Sequence, residues 1–345
     1  MRPRVFVVQP IPEVALDILR EVADVEVYPY MDRQITTDEL ANAARRSDYL
    51  FAMHETTITR EVIFANPNLK GIGIGGRYAE TVDLAACDER NLPLLTSPPQ
   101  PPGTHSLVSV ATADLTVAMV LSLAYRLHEA DCYTREGGFR QEQTMALMGL
   151  GCTGKTAGLI GLGKVGTLMV PRLRAFELQV LYTKRTRLAI EEEQRLGIEW
   201  VPDKDEILKR SDFVCLEASY NPSTHLMIGE RELRLMQPSA YLINTGRGRL
   251  VDEPALIRAL QNGTIAGAGL DVFYNEPPVT HDPYVPVALR KLDNVVLAPH
   301  NGGATWDSRG AQTSTIARSI VAAIKASGEQ PVTAEPLAPG PATPG

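Results

Sequence analysis

The segment from Gly154 to Arg187 constrains the fold more than any other part of this chain. A short apolar run is followed by the hexapeptide Gly161-Leu162-Gly163-Lys164-Val165-Gly166, then a helical stretch and a second apolar run at 179–182. This order of strand, glycine-rich turn, helix and strand is typical of the first βαβ unit of a dinucleotide-binding domain. A glycine-rich turn that binds no ligand is the alternative, and the strand and helix that flank it favour the binding site.

Each glycine of the hexapeptide has an expected task. Gly161 permits a tight turn, Gly163 lets a pyrophosphate approach the backbone, and Gly166 lets the helix pack closely on the strand. The helix that begins near Lys164 and Val165 presents N–H groups and the positive end of its dipole to the phosphates. We therefore predict that these five residues form the phosphate cradle.

The second strand runs into a basic segment, Lys184, Arg185, Thr186 and Arg187, with no carboxylate before Glu191. A site for NAD usually places Asp or Glu about twenty residues past the glycine turn, where it holds the ribose 2′-hydroxyl. Cations and hydroxyls instead suit a ribose 2′-phosphate, because charge-assisted hydrogen bonds each contribute about 1.5–3 kcal/mol. The prediction is a cofactor site in which NADPH is preferred and NAD is possible. The alternative is that these basic residues form the solvated start of a helix, although cations at a helix N-terminus would oppose the helix dipole.

Length and composition narrow the class of protein. A chain of 345 residues exceeds what one hydrophobic core usually serves, which predicts two domains. The formal net charge of −7 argues against a nucleic-acid partner. The four cysteines lack Cys-x-x-Cys spacing, so we expect no metal site and no disulfide framework, and a reduced cytoplasm fits best. The N-terminal apolar run is too short for a signal peptide, and we expect no membrane span because no stretch approaches about eighteen apolar residues.

Short apolar runs alternate with helical periods along most of the chain. This alternation predicts an α/β fold of parallel sheets covered by helices on both faces. We predict one domain at 1–104 that is completed by 301–326, a second domain at 105–300 that contains the hexapeptide, and a disordered tail at 327–345 rich in Pro, Ala and Glu. A single apolar helix is expected over 107–130, buried between domains or against a partner subunit.

Three polar residues follow predicted strands of the second domain: Arg247, Glu276 and His300. Ligands of an open α/β sheet collect beyond the carboxyl ends of its strands. An arginine can pair bidentately with a carboxylate, a histidine can pass a proton near neutral pH, and a neighbouring glutamate raises the pKa of the histidine. Together they suit reduction of a 2-oxo acid, with hydride from a nicotinamide and a proton from His300. Taken singly, the three residues have alternative roles: a helix cap for Arg247, a turn carboxylate for Glu276 and a loop histidine for His300.

Four motifs carry a family resemblance. They are AGLIGLGKVG at 157–166, LINTGRG at 242–248, AGAGLDVF at 266–273 and NVVLAPH at 294–300. On these motifs the sequence resembles the D-isomer-specific 2-hydroxyacid dehydrogenases over nearly all of residues 1–326. The resemblance implies two doubly wound parallel-sheet domains, a Rossmann domain that binds NAD(P) at 105–300 and a flavodoxin-like substrate-binding domain formed by 1–104 and 301–326.

The same resemblance implies roles for single residues. Arg247 is expected to bind the carboxylate and carbonyl of the substrate, His300 to act as general acid and base, and Glu276 to act as its partner. Further cofactor contacts are implied for Thr112, Thr245 and Asp271. The resemblance also implies a homodimer built through the 107–130 region. With its basic segment, the chain is most similar to the NADPH-using glyoxylate and hydroxypyruvate reductase branch.

Three stretches depart from the family pattern. The substrate loop usually reads like G-x-G-x-D-N-I-D, whereas residues 75–83 read GGRYAETVD. Gly76 and Arg77 are the candidate substrate contacts there, and Arg77 is expected either to add a second cation against an acidic substrate or to lie on the surface. The segment 98–105 is longer than usual and is expected to reshape the mouth of the cleft. Relatives often carry a histidine and a proline after the fourth strand, where this chain reads LEAS at 216–219. We expect Glu217 to alter the adenine or phosphate side of the site, and the lost proline to leave that edge less rigid.

Two alternative functions remain open on this resemblance. One is an oxidation like that of phosphite dehydrogenase, a relative with a cation near the place of Arg77, although the basic segment favours reductive use of the cofactor. The other is a nucleotide-sensing corepressor of the same fold, which binds partner proteins without turnover. The presence of Arg247, Glu276 and His300 weighs against the second alternative.

Overall fold

The computed structural model describes residues 2–53, 56–75, 81–98, 101, 104–142, 145–276 and 284–328. The chain divides into two compact units: unit 1 comprises Met1–Pro99 and Arg309–Gly345, and unit 2 comprises Gln100–Ser308. Gly76, Arg77, part of the 98–105 segment and the tail beyond residue 328 lie outside the described residues. The domain boundaries and domain roles given above stay predictions.

Unit 1 is built on a five-stranded parallel sheet. Its strands are β1 Arg4–Val7, β2 Asp24–Val27, β3 Tyr49–Ala52, β4 Gly71–Ile74 and β5 Leu94–Leu95. Its helices are α1 Glu13–Arg20, α2 Thr37–Ala44, α3 Arg60–Phe64, α4 Leu84–Glu89 and most of α13 Trp306–Ala326. The strand order β2-β1-β3-β4-β5 is that of flavodoxin-like sheets, which confirms the expected doubly wound class for this unit.

Helix α13 returns from the end of the chain to cover the sheet of unit 1. Its apolar residues Ile316 and Ile320 are fully buried against strand β4. A Cβ at Gly73 would lie 2.4 Å from Cδ1 of Ile320, so glycine in this strand is what allows the helix to pack at this distance. The C-terminal helix is thereby fixed to the same core as the first hundred residues.

Unit 2 is built on a seven-stranded parallel sheet. Its strands are β6 Thr156–Ile160, β7 Gln179–Thr183, β8 Glu199–Trp200, β9 Phe213–Leu216, β10 Tyr241–Asn244, β11 Gly267–Leu270 and β12 Val295–Leu297. Its helices are α5 Leu107–Ala124, α6 Leu127–Arg135, α7 Lys164–Ala175, α8 Ile190–Leu196, α9 Lys204–Arg210, α10 Glu230–Leu235, α11 Glu253–Gln261 and α12 Val287–Arg290. The order β12-β11-β10-β9-β6-β7-β8 is a Rossmann order extended by one strand, which confirms the second expected class.

The apolar helix predicted over 107–130 is in fact two helices, so that prediction is wrong. Helix α5 ends at Ala124, and Arg126 adopts a left-handed conformation with φ of +49° before α6 begins. The side chain of Arg126 holds this break, because its Nε donates to Oε1 of Glu129 at 2.9 Å.

The expectation that no stretch approaches a membrane span is also wrong, since α5 is long and apolar enough by length and composition alone. In unit 2 this helix packs on the sheet as a core helix. A Cβ at Gly269 of β11 would lie only 3.2 Å from Cβ of Met119 and 3.3 Å from Cδ1 of Leu123. Its apolar composition is therefore explained by contact with the strands of unit 2.

Candidate active site

The carboxyl ends of the parallel strands form one edge of the sheet in unit 2. Strands β6 and β9 are neighbours, and the chain proceeds outward from them in opposite directions, to β7 and β8 on one side and to β10, β11 and β12 on the other. Such a reversal opens a crevice in which open α/β sheets bind their ligands. The glycine turn follows β6 and Glu217 follows β9, so both lie at this crevice.

The three glycines of the hexapeptide occupy three different environments. Gly161 has a φ of +101°, and a Cβ there would lie 2.6 Å from the backbone of Glu217 and Ala218. A Cβ at Gly166 would lie 3.0 Å from the carbonyl oxygen of Gly161, so this glycine lets α7 lie close to the turn. At Gly163, the N-cap of α7, a Cβ would meet no described atom within 4 Å. Open backbone at a helix N-terminus fits the pyrophosphate of a dinucleotide.

The basic segment after β7 lies beside this turn. Lys184 donates from Nζ to the carbonyl oxygen of Leu162 at 3.1 Å, which ties the segment to the turn. Arg185 and Thr186 are exposed, and within the described part of the chain neither has a hydrogen-bond or ion-pair partner. A cation and a hydroxyl are thus presented to solvent at the place where the 2′ substituent of an adenosine ribose is expected.

Arg187 has a protein partner that the sequence did not reveal. Its Nε and Nη2 donate to the two carboxylate oxygens of Glu193, each at 2.8 Å, and the guanidinium lies 4.8 Å from the centroid of the Trp200 ring. Oη of Tyr182 donates to the same carboxylate at 2.7 Å. The hydrogen bonds from Arg187 and then Tyr182 lower the pKa of Glu193 to about 2. Arg187 therefore shapes the segment, and Arg185 is the better placed of the two arginines to meet a phosphate.

Arg247 begins a tight turn that its neighbours hold in place. The side-chain amide of Asn244 donates to the carbonyl oxygen of Arg247 at 3.0 Å, and Oδ1 of Asn244 accepts from the N–H of Gly246 at 3.1 Å. A Cβ at Gly248 would lie 2.0 Å from the backbone of Phe273, so glycine is required for the turn to touch the loop after β11. Sequence reasoning missed Asn244 and Gly248, although both lie inside the LINTGRG motif that could have pointed to them.

His300 and Glu276 form a close pair at the same edge. Nδ1 of His300 lies 2.5 Å from Oε2 of Glu276, while Oε1 of Glu276 accepts from the N–H of Phe273 at 2.6 Å. The hydrogen bond that His300 donates to the Glu276 carboxylate raises the pKa of His300, against the opposing effects of burial and of the Arg247 guanidinium. With Nδ1 held by the carboxylate, Nε2 is the ring nitrogen that can face a substrate.

Asp271 holds the loop that carries His300. Its carboxylate oxygens accept from the N–H groups of Asn301 at 2.8 Å and Gly302 at 2.9 Å, and its carbonyl accepts from the N–H of His300 at 2.9 Å. His300 has a φ of +53°, an uncommon conformation for a residue with a side chain. Three hydrogen bonds to one buried aspartate stabilise it. The cofactor contact implied for Asp271 stays a prediction beside this positioning role.

Thr112 and Thr245, the two threonines implied as cofactor contacts, are linked through a third. Oγ1 of Thr245 lies 2.7 Å from Oε1 of Glu217 and 2.7 Å from Oγ1 of Thr116, which in turn lies 2.8 Å from the carbonyl oxygen of Thr112. Glu217 is thus joined to helix α5 and to the turn after β10, within electrostatic reach of Arg247. Thr116 was not predicted, because nothing in the sequence connects it with Thr245.

A crevice shaped for a dinucleotide that ends at a carboxylate-paired histidine is the arrangement of a nicotinamide-dependent dehydrogenase. Residues 117–302 match the family model described as D-isomer specific 2-hydroxyacid dehydrogenase, NAD binding domain. The chain belongs to the D-isomer specific 2-hydroxyacid dehydrogenase family.

Individual relatives cover almost the whole chain. A glyoxylate reductase from Thermococcus gammatolerans is 38% identical over 326 residues, which are 93% of this chain and 93% of that protein. A crystal structure from Thermus thermophilus is 33% identical with a TM-score of 0.80 and covers 94% of this chain and 97% of its own. An NADPH-dependent glyoxylate/hydroxypyruvate reductase from Sinorhizobium meliloti, solved with NADP and malonate, is 28% identical with a TM-score of 0.71 and covers 93% of each chain. The expected family and the class of enzyme, an oxidoreductase with a nicotinamide cofactor, are confirmed.

Proposed function

We propose that this enzyme uses NADPH to reduce a small 2-oxo acid of the glyoxylate or hydroxypyruvate type to the corresponding D-2-hydroxy acid. The observation that carries the proposal is the close pair of His300 and Glu276 at the sheet edge that also presents Arg247. These three side chains come from the loops after three neighbouring strands, β10, β11 and β12. They supply what the reaction needs from the protein, namely a cation for a carboxylate and a proton for a carbonyl oxygen.

In the proposed mechanism Arg247 pairs with the substrate carboxylate and fixes the carbonyl next to His300. A nicotinamide cofactor bound at the glycine turn would supply the hydride for the carbonyl carbon. His300 transfers its Nε2 proton to the carbonyl oxygen as the C=O double bond becomes a single bond. Glu276 stabilises the imidazolium before this transfer, and His300 regains its proton from solvent afterwards.

The preference for NADPH is supported by the basic segment. The sequence has no carboxylate between β7 and Glu191 to hold a ribose 2′-hydroxyl, whereas Lys184, Arg185 and Thr186 are available to hold a phosphate. The Sinorhizobium meliloti relative is itself described as NADPH-dependent. In our assignment Arg185 makes the main contact, and Arg187 supports the segment through Glu193.

The choice of a small substrate is supported by the relatives. Both the Thermococcus gammatolerans and the Sinorhizobium meliloti proteins are named for glyoxylate reduction. Gly76 and Arg77, which were predicted to contact the substrate, lie outside the described residues and remain part of the proposal on sequence grounds.

We also propose a cytoplasmic homodimer. The described residues of the segment 125–148 bury no apolar side chain of their own and expose several large ones. These exposed residues are Tyr125, Leu127, Phe139, Met145 and Met148. Such a concentration in one segment is typical of a surface covered by another protein chain, and a second copy is the simplest partner.

The test is a steady-state assay of reduced-nicotinamide absorbance with NADPH and with NADH. The panel comprises glyoxylate, hydroxypyruvate, pyruvate and bulkier 2-oxo acids, together with phosphite and the oxidised cofactors. We expect rapid oxidation of NADPH with one of the two smallest 2-oxo acids. Turnover only with phosphite would replace the proposal by the oxidative alternative, and tight NADPH binding without any turnover would favour the sensor.

A further inference from the structure

Glu217 lies at the centre of the crevice without a part in the mechanism above. Its backbone is enclosed by two glycine turns, since a Cβ at Gly161 would lie 2.6 Å from its carbonyl carbon and a Cβ at Gly246 would lie 2.8 Å from the carbonyl oxygen of Leu216 beside it. Its N–H donates to the carbonyl oxygen of Ile160 at 2.9 Å, which continues the ladder between β6 and β9. The backbone of Glu217 is therefore held at the edge of the sheet where a dinucleotide is expected to cross.

The hydrogen-bond chain that starts at this carboxyl group determines its protonation state. Three close oxygen–oxygen contacts run from Glu217 to Thr245 at 2.7 Å, from Thr245 to Thr116 at 2.7 Å, and from Thr116 to the carbonyl oxygen of Thr112 at 2.8 Å. Each contact of this length needs one proton between its two oxygens. The two threonine hydroxyls supply two protons, and the carbonyl supplies none.

A protonated Glu217 supplies the third proton. With a neutral carboxylic acid, Glu217 donates to Thr245, Thr245 donates to Thr116, and Thr116 donates to Thr112. With an ionised carboxylate, one of the three contacts leaves two oxygens facing each other without a hydrogen between them, at a cost in free energy. The neutral form is thus the one that gives each of the three contacts its own hydrogen.

The charges around Glu217 agree with this assignment. Burial raises the pKa of Glu217 to about 7, while the hydroxyls of Thr245 and Thr116 and the charge of Arg247 partly offset that effect. Arg247, on the turn after β10, is the charged side chain that acts on it among the described residues. The neighbouring titratable group on its own strand, the thiol of Cys215, is fully buried, and burial raises its pKa. The threonines that face Glu217 from α5 and from β10 carry no charge.

We propose that Glu217 is a positioning residue that acts as a neutral carboxylic acid, and that its ionisation weakens the binding of the anionic nicotinamide nucleotide. The inference rests on the nucleotide site of the proposed function and not on the identity of the 2-oxo acid. A neutral Glu217 fixes the hydroxyl of Thr245 and places no negative charge beside the pyrophosphate. An ionised Glu217 breaks the hydrogen-bond chain and repels the phosphates.

The test measures the affinity for NADPH and for NADH by fluorescence titration across neutral pH. Because the neutral fraction falls about tenfold between about pH 6 and about pH 8, the wild-type affinity is expected to fall roughly tenfold. In E217Q the amide still donates to Thr245 and cannot ionise, so the affinity for NADH is expected to lose this pH dependence. The surface variant E21Q serves as the matched control, because Glu21 is exposed in unit 1, and it is expected to keep the wild-type slope.

A comparison between the wild type and the variants removes the titration of the nucleotide itself, since the free NADPH is the same in each experiment. Equal pH slopes for the wild type and E217Q would overturn the proposal. A pH-independent affinity of the wild type would overturn it as well, and would leave the proposed function intact. Failure of both nucleotides to bind at any pH would instead defeat the proposed function.

A second measurement needs no variant. Calorimetric titration with NADH in buffers of different ionisation enthalpy counts the protons taken up on binding. Because the neutral acid binds the nucleotide better, the wild type is expected to take up a fraction of a proton that rises towards one as the pH rises above neutral. The absence of proton uptake above neutral pH would contradict the proposal, whatever the stability of E217Q.

Discussion

The two ends of the active-site edge in unit 2 are built in opposite ways. At the end formed by β10, β11 and β12, the backbone fixes each side chain: Asp271 accepts three N–H groups of the His300 loop, and Gly248 touches the backbone of Phe273. At the end formed by β7, the basic segment presents the exposed Arg185, while Arg187 is held by Glu193. In the proposed function, the chemistry thus depends on a few rigidly placed groups, whereas the choice of cofactor depends on exposed charges.

The largest effect is expected at the rigid end. Replacement of His300 with alanine removes the proton donor, and kcat should fall by roughly 10²- to 10⁴-fold while the affinity for NADPH stays nearly unchanged. The measurement pairs steady-state kinetics with nucleotide titration. The matched control is H225A, which removes a histidine of the same unit that contacts Tyr220 instead of Glu276. Retention of most of the activity in H300A would exclude His300 from the mechanism. It would also remove the contrast drawn between the two ends of the active-site edge.

A smaller effect with a distinct pH signature is expected for Glu276. Its carboxylate raises the pKa of His300, so E276Q should lower that pKa and move the alkaline decline of reductive activity to lower pH. If the pKa of His300 falls by about one, the protonated fraction of the imidazole at alkaline pH falls about tenfold. The pair also stabilises the fold below the ordinary pKa of histidine and loses this contribution as pH rises through the raised value.

The pH profile of kcat for the wild type and E276Q is the measurement for this pair. The thermal unfolding of both proteins at acid and alkaline pH accompanies it, and the difference in stability between them should be larger at the acid end. An unchanged alkaline limb in E276Q would show that another group sets the protonation of His300.

The smallest effect is expected at the basic segment, and it separates two neighbouring arginines. R185Q should weaken NADPH binding about tenfold and leave NADH binding almost unchanged, because it removes one charge-assisted hydrogen bond from an exposed site. R187Q should weaken both nucleotides alike, since it releases Glu193 and loosens the segment. The measurement is the dissociation constant of NADPH and of NADH for each variant. If R187Q rather than R185Q were the variant selective for NADPH, the assignment of the two arginines would have to be exchanged.

The features that sequence predicts well here are those that short stretches encode. The glycine hexapeptide sits between a strand and a helix, and Arg247, Glu276 and His300 follow strands, so the order of elements alone placed them at one edge. The predictions that the structure contradicts depend on contact partners that a sequence pattern does not reveal. A helix pattern through 107–130 does not show that Arg126 turns left-handed and binds Glu129.

Other contacts could not be predicted from the sequence, either because the two residues are far apart along the chain or because one of them suits another role equally well. Arg187 lies in a row of cations, and only the fold shows that Glu193 and Tyr182 already hold it. The link between Thr116 and Thr245 spans 129 positions of sequence. Such pairs are set by the packing of α5 against β10, which no periodicity of either element specifies.

The position of β12 has a consequence for biosynthesis. This strand lies at the edge of the seven-stranded sheet beside β11, and it is the last strand of the sheet to be translated. The glycine turn, the basic segment and Thr245 all precede it, whereas His300 follows it. During synthesis, which proceeds from the N-terminus, the segments proposed to contact the nucleotide are complete before the proposed proton donor exists. A nascent chain that is cut short ahead of β12 therefore has all of these segments and lacks His300.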